Sequence, residues 1–160
     1  MKYPYHDENL ELIREKIREI RTAVFRTERN EALRLPVNII KTLTVENDGT
    51  ILFFTSCENN CGDAGLPHFY AYLDYHDRSR NTRLRISGTA SVVEGDHGLF
   101  TMNNYPKGAY GKLVLVKLKI MQAELLENKP TIKFSWPEKL QQVIDTLLPL
   151  SSQRIYNFSK

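Results

Sequence analysis

The sequence predicts a mainly β (α+β) fold in which an antiparallel barrel of five or six strands is flanked by an N-terminal and a C-terminal helix. Amphipathic segments with a helical repeat lie near both ends of the chain, and the segments between them repeat with a period of two. Most connections are too short for parallel crossovers, so the strands should pair antiparallel. Closure into a barrel then removes the exposed sheet edges.

One domain is expected over residues 1–160, because a chain of this length has room for one sizeable core and is cramped for two. The net charge of +3 is too small, and the charges too interspersed, to indicate nucleic-acid binding. No apolar run approaches the 20 or so residues of a membrane helix, and the N-terminus lacks a secretion signal. A disulfide between Cys57 and Cys61 would close a very short loop, so reduced thiols and a cytoplasmic location are favoured.

The N-terminal helix is predicted from a stripe of apolar residues spaced by three and four: Leu10, Ile13, Ile17, Ile20 and Val24. Asp7 can cap its first turn, and Glu11–Arg14 and Glu15–Arg18 can pair on its solvated face. Packing of the stripe on the domain's own core is favoured over a membrane surface.

The C-terminal helix is predicted from a capping box formed by Ser135 and Glu138. Pro137 fits its first turn, and Pro149 ends it. Its apolar face comprises Leu140, Val143, Ile144, Leu147 and Leu148.

The first long strand is predicted over Leu33–Glu46, where residues of odd number from Leu33 to Val45 form an apolar face that includes Lys41. Pro36 indicates an edge position or a bulge. After a turn at Asn47-Asp48-Gly49, the segment Ile51–Thr55 is apolar on both faces and therefore predicts a central strand. Further strands are predicted at His68–His76, Arg83–Val93, Lys112–Leu126 and, more briefly, Thr22–Thr27.

Lys41 is the most informative residue of this pattern, because a lysine among apolar neighbours has three explanations. A bulge at Pro36 shifts the register, the lysine reaches solvent at an edge, or it meets an anion at the barrel rim. Thr55 and Ser56 end the following strand, where hydroxyl groups can donate to phosphate oxygens. Lys41 and Thr55 lie at nearly equal distances from the turn, so cross-strand pairing should bring them together. This juxtaposition predicts a phosphate clamp in which the lysine acts as a point charge.

The runs Leu35–Lys41 and Asp48–Ser56 resemble the flavin-binding hairpin of the pyridoxamine 5'-phosphate oxidase-like superfamily. The run Leu84–Val93 resembles the next hallmark of that superfamily, and the resemblance covers roughly Ala32–Glu127. It implies a six-stranded antiparallel split β-barrel, a homodimer, and flavin mononucleotide (FMN) held at the subunit interface.

The resemblance also implies residue roles. Lys41, Phe54 and Thr55 would contact the flavin phosphate and ribityl chain, with Ser56 adjacent. The backbone of Asn38, Ile39 and Ile40 would lie alongside the isoalloxazine ring of the flavin. Arg83 stands where the family often has a glutamine near the ring.

Three departures from the family pattern affect the expected activity. Pro36 replaces the arginine of the first strand, and Cys57–Gly65 carries no cation where basic residues are usual. The C-terminal Arg-x-His segment that grips pyridoxal phosphate is absent. The resemblance therefore implies an FMN-dependent oxidoreductase of the general stress protein type, with an unknown redox partner and no oxidation of pyridoxamine phosphate. No catalytic side chain is nominated, since the flavin carries the redox chemistry.

Two other functions remain open. A haem-binding barrel would need a histidine ligand, which His68, His76 or His97 could supply. A non-catalytic ligand-binding barrel could stack bases on Tyr70 and Tyr72. No metal site is predicted, because the spacing of the cysteines and histidines matches no standard zinc pattern.

Overall fold

The computed structural model describes residues 7–28, 35–57, 68–93, 99–101, 112–128 and 151–158. The described elements, in chain order, are α1 Glu8–Ile20, β1 Thr22–Thr27, β2 Asn38–Val45, β3 Thr50–Cys57, β4 Phe69–Asp77, β5 Thr82–Val92, β6 Leu99–Thr101, β7 Lys112–Asn128 and β8 Ser151–Asn157. The predicted C-terminal helix, Ser135 to Leu148, lies outside the described residues. Strand β8 has no counterpart in the sequence-based prediction.

Six strands form a closed antiparallel barrel, as the sequence predicts. Their order around the barrel is β2-β1-β4-β5-β7-β3, and pairing of β3 with β7 closes the ring. Strand β7 is 17 residues long, so it can pair with β5 along one edge and with β3 and then β8 along the other. Strand β3 lies between β2 and β7, which confirms the central position predicted from its apolar faces.

Helix α1 packs its apolar stripe on the barrel core. The Asp7 carboxylate accepts hydrogen bonds from the backbone N–H groups of Asn9 (3.0 Å) and Leu10 (3.3 Å), so the predicted cap forms. Ile13 and Ile17 are fully buried, and each such side chain stabilises the fold by roughly 1.5–3 kcal/mol. Within the described residues, no helix combines the length and apolar character needed to cross a bilayer.

The helix ends earlier than its apolar stripe predicts. Arg21 adopts a φ of +62°, which stops the helix after Ile20. Its carbonyl oxygen then accepts a hydrogen bond from the Thr42 N–H, 2.8 Å away, so the chain is already aligned with β2. Val24 therefore lies on β1 and not on the helix, while the predicted short strand Thr22–Thr27 is confirmed.

Strand β2 presents the opposite face to the core from the one predicted. Ile40 is 3% exposed, whereas Ile39 is 71% exposed, so the odd-numbered residues up to Leu43 face outward. The register shifts between Thr42 and Thr44. This irregularity, and not a bulge at Pro36, returns Val45 to the core at the end of the strand.

Strands β5 and β7 approach each other closely at Gly88. The pairing shifts between Ser87 and Gly88, and Met121 is the extra residue of β7. A side chain at position 88 would meet the backbone oxygen of Lys119. The glycine therefore permits the two longest strands to pair through the irregularity.

The thiol prediction is wrong for Cys57, which is disulfide-bonded and buried at the end of β3. The only other cysteine in the chain, Cys61, lies outside the described residues. A short loop lowers the entropic gain from such a bond but does not forbid its geometry.

Candidate functional site

The outer face of the β2–β3 hairpin holds four of the eight residues predicted to contact flavin: Ile39, Lys41, Phe54 and Ser56. Lys41 is exposed on β2, where it is the cross-strand partner of Thr22 on β1. On β3, Phe54 and Ser56 alternate with buried residues and so also face outward. The structure thus brings an ammonium group, an aromatic ring and a hydroxyl group onto one face of two neighbouring strands.

The predicted juxtaposition of Lys41 and Thr55 does not form. Thr42 is paired with Phe53 toward the barrel interior, and opposed residues share a face, so Lys41 and Thr55 belong to opposite faces. Thr55 is 1% exposed, and its hydroxyl oxygen has no hydrogen-bond partner among the described residues. Its side chain therefore cannot reach a ligand on the outer face, and neither can that of buried Ile40.

Ser56 is oriented by Asn38. The Asn38 amide Nδ2 donates to the Ser56 hydroxyl oxygen over 2.8 Å, and its Oδ1 accepts from the Ile39 N–H over 2.9 Å. Because the serine oxygen accepts this bond, its own proton remains available to donate. The pair therefore presents one O–H donor beside the outer face of the hairpin.

Exposed apolar side chains surround Lys41. They form an outer strip that consists of Val24, Val37, Ile39 and Leu43. Val24 and Ile39 are direct cross-strand partners, so the strip is continuous across β1 and β2. Exposed apolar patches of this kind mark surfaces that bind a ligand or another protein.

Arg83 lies on the far side of the barrel. Strand β5 is three strands from β2 in either direction around the ring, so Arg83 and Lys41 cannot meet within one chain. The Arg83 guanidinium instead donates two hydrogen bonds to the Asp74 carboxylate, of which the Nε–Oδ1 bond measures 2.9 Å. Arg83 can join the hairpin residues only from a second copy.

The Arg83–Asp74 pair predicts a pH response. Hydrogen bonding to Arg83 lowers the pKa of Asp74 below its ordinary value, against the opposing effect of burial. Since the folded-state pKa is the lower one, the pair stabilises the fold above the unfolded-state pKa of about 3.9. This stability is lost as the pH falls through the folded-state pKa. In an NMR titration of the carboxyl carbon, Arg83→Gln should raise the pKa of Asp74, and an unchanged value would contradict the pairing.

The two tyrosines that were predicted to stack bases, Tyr70 and Tyr72, are engaged in contacts within the protein. Tyr70 and Tyr72 contact each other edge to face, and their hydroxyl groups donate to Ser87 and Glu28. Arg26 covers the ring of Tyr72, with 4.9 Å between the guanidinium carbon and the ring centroid. Arg26 thus covers one face of the Tyr72 ring, and the interplanar angle of 77° between the two tyrosines does not suit parallel stacking of two bases.

The two histidines of the described residues, His68 and His76, do not cluster. His68 and His76 are exposed and eight residues apart along one extended segment, which separates them by roughly 26 Å. In the part of the chain that the structure describes, no three potential metal ligands come together. His97 lies outside that part. This distance is too large for His68 and His76 of one chain to ligate the same haem iron.

Two surface features of the structure have only weak sequence signals. The alternation of β2 hides the outer strip, because it assigns Val37, Ile39 and Leu43 to the core face although they are exposed. The second feature is a cavity between the end of α1 and β2, which is lined in part by Arg21, the residue that ends the helix. A cation at a helix end is a common sequence feature, so it indicates no site without the fold.

Comparison with known proteins supports the fold. No protein-family model and no curated protein matches the sequence. Solved structures match over most of the chain. An FMN-binding protein from Nostoc punctiforme, related to pyridoxamine 5'-phosphate oxidase, is 11% identical with a TM-score of 0.55 and covers 99% of this chain and 93% of its own.

Two further structures show the same architecture. The general stress FMN/FAD binding protein of Xanthomonas citri is 16% identical with a TM-score of 0.51, and the match covers 79% of this chain and 96% of that one. PhzG from Burkholderia lata is 11% identical with a TM-score of 0.52, and the match covers 99% of this chain and 98% of PhzG. The resemblance predicted from sequence is therefore confirmed as a fold: the chain is a split barrel of the kind found in pyridoxamine 5'-phosphate oxidase-related and general stress proteins.

Proposed function

We propose that the chain is an FMN-binding protein that forms a homodimer, with the flavin held at the β2–β3 hairpin where two copies meet. The observation that carries the proposal is the position of Lys41, an exposed ammonium group in the middle of an exposed apolar strip. A flavin nucleotide combines an anionic phosphate with a largely apolar ring, so this surface has complementary chemistry. The names of the similar proteins, FMN binding and FMN/FAD binding, support a flavin.

The side chains on the outer face suit this cofactor. Lys41 would pair with the phosphate as a point charge, and the Ser56 hydroxyl would donate to a phosphate or ribityl oxygen. Ile39 and Phe54 would pack against apolar parts of the flavin. Ile40 and Thr55, predicted as contacts, would take part only through their backbone because their side chains are buried.

A second copy would complete the site. The outer strip places apolar side chains in water, and covering it with the same strip of a second copy would remove that cost. Such a partner would also be the only source of an Arg83 near the hairpin, since the barrel separates Arg83 from Lys41 within one chain. The site is thus incomplete in a monomer.

When bound, flavin would supply electron transfer to and from a small-molecule partner, which makes the chain an oxidoreductase. The residues of the hairpin hold and orient the cofactor. No side chain is assigned as an acid or a base.

Lys41→Ala should weaken FMN binding about 10- to 100-fold, because one charge-assisted contact contributes roughly 1.5–3 kcal/mol. Riboflavin, which lacks the phosphate, should bind equally well to the wild type and the variant. The measurement is the absorbance spectrum of the purified protein, followed by titration of the flavin-free protein with each compound.

Lys119→Ala is the matched control, since Lys119 is an exposed lysine on β7 that contacts Asp48 at the hairpin turn (3.0 Å). Its FMN affinity should equal that of the wild type. A wild-type protein that binds no flavin would overturn the proposal, and a haem titration would then follow. Equal FMN affinity in the wild type and Lys41→Ala would exclude the hairpin as the phosphate site.

A further inference from the structure

A cavity of about 220 Å³ lies between the C-terminal end of α1 and strand β2, outside the hairpin site. At roughly 30 Å³ for each water, it has room for a phosphate group and the atoms attached to it. Apolar side chains form part of the wall, and its polar lining consists of Arg18, Arg21, Thr42 and Thr44. The cavity thus combines two guanidinium groups with two hydroxyl groups.

Arg21 occupies its position at a conformational cost. Its φ of +62° lies in the region that favours glycine and asparagine, which are the usual residues at the end of a helix. A long cationic side chain here is therefore unusual. Its Nε donates to the carbonyl oxygen of Arg18 over 3.0 Å, which fixes the guanidinium beside the cavity.

Arg21 donates to two of the carbonyl oxygens at the end of the helix. The carbonyl oxygen of Ile17 accepts from the Arg21 N–H (2.8 Å), and that of Arg18 accepts from the Arg21 side chain, so both bear hydrogen bonds. Among the described residues, no carboxylate forms an ion pair with Arg21. Arg18 contacts Glu11 at 3.4 Å, but Glu11 is shared with Arg14. The cavity therefore keeps a net positive charge.

We propose that this cavity is an oxyanion site that binds the phosphate group of a small molecule through the guanidinium groups of Arg18 and Arg21. Guanidinium groups offer paired donors that match phosphate oxygens. The exposed Thr44 hydroxyl lies in the same wall and can add a donor, whereas the Thr42 hydroxyl already shares a hydrogen bond with Tyr75 (2.7 Å). The phosphate would belong either to FMN or to a separate phosphate ester.

The test is an NMR titration of the flavin-free full chain with inorganic phosphate at constant ionic strength. Saturating shifts are expected at the amides of Thr42 and Thr44 and at the Arg21 side chain. Arg21→Asn should weaken phosphate binding at least about tenfold, while asparagine tolerates the backbone angle and preserves the fold. Arg154→Asn, at an exposed position on β8, should leave the affinity unchanged.

Competition identifies the source of the phosphate. Displacement by FMN but not by riboflavin would assign the cavity to the flavin phosphate, and no displacement by FMN would assign it to a separate phosphate ester. Either result supports an oxyanion site. No saturating shift up to about 50 mM phosphate, or equal affinity in the wild type and Arg21→Asn, would overturn it. Flavin binding is scored separately by absorbance, so either proposal can fail while the other stands. Displacement by FMN would transfer the flavin phosphate from Lys41 to this cavity.

Discussion

Gly88→Ala should lower the free energy of unfolding by about 3 kcal/mol or more, or prevent folding. A Cβ atom at this position would lie 1.9 Å from the backbone oxygen of Lys119 and 3.2 Å from the side chain of Leu118. A carbonyl oxygen in a paired strand can move only if the β5–β7 pairing is disrupted. Urea unfolding followed by circular dichroism measures the loss.

Gly49→Ala provides the comparison for this prediction. Gly49 has a φ of +81°, so alanine there is strained by roughly 1–2 kcal/mol. Its new Cβ would first meet a terminal methyl group of Leu10 at 3.1 Å, which can move aside. The Gly88 variant should be clearly less stable than the Gly49 variant. Equal losses would contradict the role assigned to the Lys119 carbonyl.

Ile39→Asp should convert the proposed homodimer into monomers, with a dissociation constant raised at least about 100-fold. A carboxylate buried in an apolar interface without a partner costs several kcal/mol. Ile39 is 71% exposed in the single chain, so the substitution should leave the stability of the monomer nearly unchanged. Sedimentation velocity at several protein concentrations gives the dissociation constant. Flavin affinity should fall in parallel.

Ile155→Asp is the matched control for the dimer. Ile155 is 55% exposed on β8 and lies outside the outer strip. Ile155→Asp makes the same chemical change as Ile39→Asp. Because the change lies outside the outer strip, the dimer of this variant should remain intact. A dimer that survives Ile39→Asp would place the interface on another face. If both variants dissociate, the loss of the dimer cannot be attributed to the outer strip.

Alternation and spacing predict the barrel because they reflect local geometry. The segments Thr22–Thr27, Ile51–Thr55 and Lys112–Leu126 all fall on observed strands, with antiparallel pairing as the short connections require. The cap at Asp7 also follows from local chemistry, since the carboxylate bonds amides two and three residues away. Features that depend only on neighbours in sequence are therefore well predicted.

The alternation of β2 predicts the wrong face. The odd-numbered residues are the more apolar set, yet Ile40 and not Ile39 enters the barrel. The register of β1 against β2, with Ala23 opposite Ile40, decides it, because the buried Ala23 and Ile40 share the inner face. Once Ile40 is inside, Lys41 is outside and separated from Thr55.

The sequence by itself determined the strand repeat, the capped helix and the order of hairpin residues, and hence the fold class. Only the tertiary structure decided which residues share a surface. It placed Lys41 within an exposed apolar strip, put Arg83 on the opposite wall, and set Arg21 beside a cavity. The physical reason is that a one-residue change in strand register moves every side chain to the other face, and register is fixed by contacts between distant segments.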